Sequence, residues 1–321
     1  MMKKLRSIES FAEGDKVQGF YLCVSKHLRY TRTGDLYIDL ELRDNTGHIS
    51  GKIWNNVSEL NTKFDAGNAV VISGNVESFL DHLHLVVKKI NKATVQHYGR
   101  YGFDPANIVP TSKKDPQKMW KEIKLLIGGI KDKELRKLVS SIYKSNQKKL
   151  MVHPSSIKMN HSYRSGFLEH VLSMAKIAKK ITPLYDVDRD LVISGTLIKN
   201  IGRLNEINSE YQSDNTFEGH LIGHKVMSRD IVMNAIGEIK DFPKTTAKKI
   251  EHILISDLDK NHSNHYRIPS FPEALLIHLI DFLDSEMSLM DISLKHDQES
   301  GSFTNHHNYF RTPLLKKNEP K

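Results

Sequence analysis

The sequence predicts an α+β, multidomain chain: a small five-stranded β-barrel comes first and an all-α domain follows. Three observations carry this reading. Apolar residues alternate at every second position up to about Lys92, they recur at helical spacing from Met119 to about Leu294, and between these halves lies "HYGRYGFDPANIVPTSKKDPQ", rich in glycine, proline and polar residues. The expected division is therefore 1–94 barrel, 95–118 linker, 119–295 helical domain and 296–321 tail. At 321 residues, 39% of them hydrophobic, the chain is long enough to build a core in each half.

The first half reads as five runs, "KVQGFYLCVSKHLRY", "DLYIDLELRD", "GHISGKIW", "NAVVISGNVESF" and "HLHLVVKKI", separated by turn signals such as "TRTGD", "DNTG" and "FDAGN". Five short strands so closely spaced suit a closed barrel of the OB type better than an open sheet. Tyr21, Tyr30, Tyr37, Trp54 and Phe79 are interleaved with Lys26, Arg29, Arg32, Arg43, Lys52 and Lys88. Such a mixture stacks bases while neutralising phosphates, so single-stranded RNA or DNA is the expected partner, with Tyr30, Tyr37, Trp54, Arg32 and Lys52 as the binding residues. A barrel this small also needs large side chains inside it, so part of the aromatic set is expected in the core.

Charge and cysteine content narrow the class further. Lysine plus arginine number 47 against 38 aspartates and glutamates, a net +9 that favours polyanionic partners. The single cysteine, Cys23, excludes a disulfide framework and a cysteine-built zinc site. No apolar run reaches the roughly 18 residues that span a bilayer, and "MMKKLRSIESFAEGDK" lacks the apolar centre of a signal peptide. The expected location is cytoplasmic, with no membrane partner; a homo-oligomer is compatible with the sequence.

The helical half carries the candidate chemistry. His170 in "LEHVL", His224 in "GHLIGHKVM", His252 in "KIEHILIS" and Asp281 in "LIDFLD" each sit in an apolar helical run. A lone buried histidine is most often a hydrogen-bonded core residue. Three on separate helices, together with an acid, match the way helix bundles build metal sites, and they are expected to point into one core.

The order "HSYRSGFLEHVLSMAKIAKKI", "LIKNIGRLNEI", "EGHLIGHKVM", "EHILISDLD" and "FPEALLIHLIDFLDSEM" resembles the HD-domain metal-dependent phosphohydrolases. More closely it resembles the YhaM-type 3′→5′ exoribonucleases, which join an N-terminal OB-fold to an HD-type helical domain. The resemblance covers nearly the whole chain. It implies a divalent metal, manganese or similar, held by His170, His224 and Asp281, with His252 and Asp257 as further candidates. Lys199 and Asn200 stand where that family has its catalytic His-Asp pair, and Asp257 and Leu258 stand where it has a His-His pair. An asparagine lacks the charge of a bridging carboxylate, and a protonated lysine has no lone pair to coordinate an ion. Lys199 would instead take the place of a metal ion, its ammonium on Asp281 or on a phosphate.

Three functional readings follow. The first is a single-strand-binding relative of the exoribonucleases with catalysis at the HD-type site weakened or lost. The second is a metal-dependent 3′→5′ exonuclease working with a reduced site. The third is a structural or assembly protein.

Overall fold

The computed structural model describes residues 6–80, 82–208, 211, 213–258 and 268–316. The chain divides into two units, one of 1–111 with 209–213 and the other of 112–208 with 214–321. Its class is the expected one: a closed five-stranded barrel, then helices.

The first unit is built on β1 (Lys16–Tyr30), β2 (Leu36–Arg43), β3 (His48–Ile53), β4 (Ala69–Phe79) and β5 (His82–Lys92), with α1 (Val57–Asn61) between β3 and β4. The strands close in the order β1-β2-β3-β5-β4. Closure depends on β1, whose first half pairs with β4 and whose second half pairs with β2, the register shifting between Cys23 and Ser25. An irregularity of this kind bends a strand, so one long strand can serve two neighbours. β3 and β5 run parallel and the remaining pairs are antiparallel. Inward-facing residues alternate along each strand, and Tyr21, Cys23, Ile38, Leu42, Ile53, Ile72 and Leu85 fill the interior.

Two expectations for this unit are corrected. Tyr21 is a core residue, 1% exposed, and is removed from the candidate binding face. Lys26 is structural as well: its ammonium donates to the Asn61 and Phe64 carbonyls at 2.9 and 2.6 Å. The expected linker is partly folded, with α2 (Val95–Tyr98) following β5 directly, and Phe103, Ile108 and Val109 buried against Leu22, Ala69 and Ala93 of the barrel.

The second unit contains α3 (Pro116–Gly128), α4 (Lys133–Ser145), α5 (Gln147–Leu150), α6 (Gly166–Ile181), α7 (Arg189–Ile198), α8 (Arg203–Glu206), α9 (Phe217–Leu221), α10 (His224–Gly237), α11 (Lys244–Ile255) and α12 (Pro272–His296). Starts are chemically marked. Asp115, Asp132 and Asp188 cap α3, α4 and α7 by accepting from backbone N–H groups, and α3 and α12 open on proline, which needs no donor there. α7 is buried almost throughout, from Leu191 to Ile198, and packs against α4, α6, α11 and α12. That central position puts the chain leaving its C-terminus, Lys199 and Asn200, among the surrounding helices. After α12 the tail is irregular, anchored by buried Thr304 and Leu314; residues 317–321 lie outside the described residues. Among the described residues no helix is long and apolar enough to cross a membrane.

Candidate functional site

The helical site is assembled from three places. α6 supplies His170, the end of α7 supplies Lys199 and Asn200, and α12 supplies His278, Asp281 and Asp284 at steps of three residues, which keeps them on one helix face. Asp281 is the centre. Its Oδ2 accepts from the Lys199 ammonium in a short contact and from the Asn200 amide at 3.2 Å, while its Oδ1 lies 3.1 Å from His170 Nε2. The other ring nitrogen of His170 is 2.7 Å from Asp284 Oδ2, which also lies 3.0 Å from His161 Nε2.

The electrostatics follow from burial against pairing. Burial alone would push the Asp281 carboxyl up; the Lys199 ammonium and then His170 outweigh it and hold the group well below the usual carboxylate range. Burial would likewise push His170 down, but its hydrogen bonds to Asp281 and Asp284 outweigh that and raise it. Asp284 is lowered too, because His161 and His170 overcome its desolvation. His278, whose Nε2 is 2.9 Å from Ser256 Oγ, is pushed down to about 3 by burial and then by Lys199.

The other expected ligands have partners of their own. His224 opens α10, and both its backbone N–H (3.0 Å) and its Nδ1 (3.1 Å) meet Glu206 Oε1. Burial and then Arg203 keep it below the ordinary histidine value, and Lys199 acts in the same direction. Asp257 is ion-paired to Lys225, and both act electrostatically on His278 together with Lys199 and Asp281. The Nε2 of His252 accepts from the Ser270 backbone at 3.0 Å, and its ring packs 5.3 Å from Phe271.

A backbone reason keeps the motif around Lys199 intact. A Cβ on Gly202 would stand 2.2 Å from the His224 carbonyl oxygen and 2.5 Å from the Ser228 nitrogen, so glycine is what lets the start of α10 approach. The Gly202 N–H donates to Ser228 Oγ at 2.8 Å. The site residues missed by sequence reasoning are His161, Glu206, Lys225, His278 and Asp284. Asp284 and His278 could have been found by stepping three residues either way from Asp281; His161, Glu206 and Lys225 lie inside the quoted motifs but carry no periodic signal.

Both His170 ring nitrogens face carboxylates, and Asp281 holds the Lys199 ammonium. Among the described residues one group of donors could still converge on an ion: His161, His170 and Asp284, all buried, with ligand atoms within 4.8 Å of one another.

In the barrel unit, Tyr37 and Trp54 stack at 4.7 Å with 29° between the rings, and Lys52 lies 5.6 Å from the Trp54 ring. Pairing of Ile38 with Ile53 makes Tyr37 and Trp54 neighbours across β2 and the end of β3. Trp54 is 41% and Tyr30 74% exposed, and Arg32 is exposed in the β1–β2 turn. Arg29 is held by Asp39 at 2.9 Å. Thus three of the five expected barrel residues, Tyr30, Arg32 and Trp54, present open surface, while Tyr37 and Lys52 are half-buried.

No family model matches the chain. It is, however, 26% identical over 290 residues to the 3′-5′ exoribonuclease YhaM of Listeria monocytogenes, covering 89% of this chain and 90% of that protein. The same protein from Listeria welshimeri gives the same 26% over 290 residues. The chain is similar to the YhaM exoribonucleases along nearly its whole length. Similarity to YhaM thus spans both the barrel and the helical unit, in agreement with the motif order read from the sequence. Solved structures similar to part of the chain include a domain of replication protein A from Methanococcus maripaludis, 22% identical, covering 27% of this chain and 92% of that one with a TM-score of 0.24. An OB domain from Thermoplasma acidophilum is 16% identical, covering 28% of this chain and 87% of that one, also with a TM-score of 0.24.

Proposed function

We propose that this protein binds single-stranded nucleic acid, RNA foremost, through the barrel face carrying Tyr37, Trp54 and Lys52, and that hydrolysis at its helical site is weakened or lost. The observation that carries the second part is the Lys199 ammonium seated on Asp281. In a metal-dependent phosphodiesterase that carboxylate serves a cation that polarises phosphate and activates water. Here the positive charge is supplied covalently and brings neither an open coordination position nor a bound water. Asn200 completes the replacement, donating to the carboxylate where an acid would have supplied a second charge. The stacked Tyr37–Trp54 pair beside Lys52 supports the first part, since aromatic faces take bases and cations take the backbone. The similarity to proteins named as exoribonucleases makes RNA the first substrate class to try.

A second reading is favoured by one observation. The His161–His170–Asp284 group could hold a single divalent ion, giving a reduced-site enzyme. Metal analysis of the purified protein and incubation of labelled single-stranded RNA with manganese separate the two. The expected result is no stoichiometric metal, no shortening from the 3′ end, and binding that weakens steeply with salt. Stoichiometric metal with 3′→5′ degradation would overturn the proposal in favour of the reduced-site enzyme. Absence of single-strand binding at low salt would favour the assembly reading. At the barrel, Trp54→Ala is expected to weaken binding by about 1–3 kcal/mol.

A further inference from the structure

Away from the Tyr37–Trp54 face, the barrel unit carries a second groove, floored by the first half of β1, by β4 and by β5, and walled by the segment from α2 to Tyr101. Its charge is one-sided. Among the described residues Arg6, Lys16, Lys88, Lys92 and Arg100 line it together with one carboxylate, Asp15, which is ion-paired to Arg6, and Lys16, Lys88 and Arg100 are exposed. Its wall is aromatic: Tyr98 packs edge-on to Phe20 at 5.9 Å, and Tyr101, 57% exposed, lies beneath the Arg100 guanidinium at 4.8 Å.

The backbone turns one of these cations into place. Across β4 and β5, Ser73 faces Lys89 but the next residue, Gly74, faces Val87, so Lys88 is the extra residue of a β-bulge. A bulge re-aims a side chain and tightens the local twist. Gly74 permits it, because a Cβ there would lie 2.4 Å from the Val86 carbonyl oxygen. The result is an exposed lysine at the groove, level with the outward residues Lys16 and Gln18 that face Asn75 and Ser73.

We propose that this groove is a second path for the nucleic-acid strand, so that the barrel engages a single strand along both halves of β1. The proposal rests on the reading of the barrel as a single-strand binder and adds where the longer strand goes. A polyanion with exposed flat bases fits a basic groove with the exposed cations Lys16, Lys88 and Arg100 and an accessible aromatic ring, Tyr101. β1 joins the two surfaces, its first half belonging to the groove and its second half running beside the Tyr37-bearing strand.

The test uses the full chain and two oligouridylates, one of about 4 and one of about 16 nucleotides, the limits of the usual site size of one barrel. In the triple variant Lys16→Ala/Lys88→Ala/Arg100→Ala, the long strand is expected to bind about tenfold more weakly or worse and the short one unchanged. The log–log salt slope for the long strand should fall by about 2, at about 0.7 per lost phosphate contact. Photocrosslinking of 4-thiouridine-labelled long strand should mark the peptide containing Tyr98 and Tyr101, and the melting temperature should stay at the parent's value. Trp54→Ala should weaken both lengths. Equal binding of the long strand by triple variant and parent overturns the second path while leaving the Trp54 face standing. Equal loss for both lengths also overturns it, because the groove is then not separate. If strand binding persists but binding of a polyaspartate probe is lost, the partner is an acidic polypeptide. Failure of the parent to bind either strand removes the barrel reading and this proposal together.

Discussion

Replacing Lys199 by methionine tests the centre of the helical site. The change keeps most of the apolar stem and deletes the ammonium that Asp281 faces. An exposed ion pair would make this nearly neutral, at about 0–1 kcal/mol. This pair is not exposed, since the Lys199 and Asp281 side chains keep only 11% and 16% of their surface. Removing one partner of a buried pair strands the other charge and costs about 3–5 kcal/mol. Asn200 and His170 remain on Asp281, so the lower end of that range is the firmer expectation. For a unit of roughly 150–250 residues, about 2–4 °C per kcal/mol turns this into a melting temperature lower by about 6–20 °C.

The assay is urea and thermal unfolding of the parent, Lys199→Met, Asp281→Asn and the double variant at neutral pH. The double variant should be more stable than Lys199→Met alone, because the carboxylate that needed the ammonium is gone; the cycle measures the coupling directly. A cost below about 1 kcal/mol for Lys199→Met, with no coupling to Asp281, would show that the lysine is only an outlying side chain. The account of Lys199 as a built-in cation would then fail.

Two further outcomes are expected from the same unit. His278 is lowered to about 3 against about 6.5 when unfolded, so the unfolded chain takes the proton first. Its contribution is complete above about pH 6.5 and is lost as pH falls toward 3, by at most about 1.4 kcal/mol per pH unit. Urea unfolding between pH 7 and 4 should therefore show a shallower loss in His278→Asn than in the parent, and equal slopes would refute the assignment. Gly202→Ala should destabilise by at least about 1–3 kcal/mol in urea unfolding, because the new Cβ meets the backbone of α10, 2.2 Å from the His224 carbonyl oxygen, and not a side chain that can turn away.

The barrel was legible because its signal is local. Alternation in "KVQGFYLCVSKHLRY" and its turn punctuation mark a strand that the structure reproduces as Lys16–Tyr30. The Cys23–Ser25 register shift that lets this strand serve two neighbours leaves no such mark, because it answers to partners far along the chain. The glycines and prolines of 95–118 predict a linker, yet Phe103 and Ile108 pack on the barrel. Short apolar groups without a period cannot announce a tertiary contact. At the site, motif order placed His170, Lys199, Asn200 and Asp281 together. It did not place His252, whose apolar helical neighbours signal burial but not direction, and it passed over Asp284, which forms the other half of the His170 clamp.

The Lys225–Asp257 pair bears on whether hydrolysis could be restored. Lys199 and Lys225 each hold an aspartate, and both lysines act on His278, so the centre contains two fixed cations in one neighbourhood. Lys199→His with Asn200→Asp removes the first and supplies two ligands beside His170 and Asp281, so a divalent ion measurable by metal analysis is expected. Adding Asp257→His and Leu258→His supplies more nitrogen donors but removes the Asp257 carboxylate from beside Lys225, whose ammonium repels an incoming ion. Degradation of 3′-labelled single-stranded RNA is therefore expected only when Lys225→Ala is included as a fifth change. Equal degradation with Lys225 present would refute its role as a second built-in cation. If the first pair of changes takes up no metal, the neighbourhood has repacked around Lys199, and replacing the ligands cannot recover a site whose supporting side chains now hold one another.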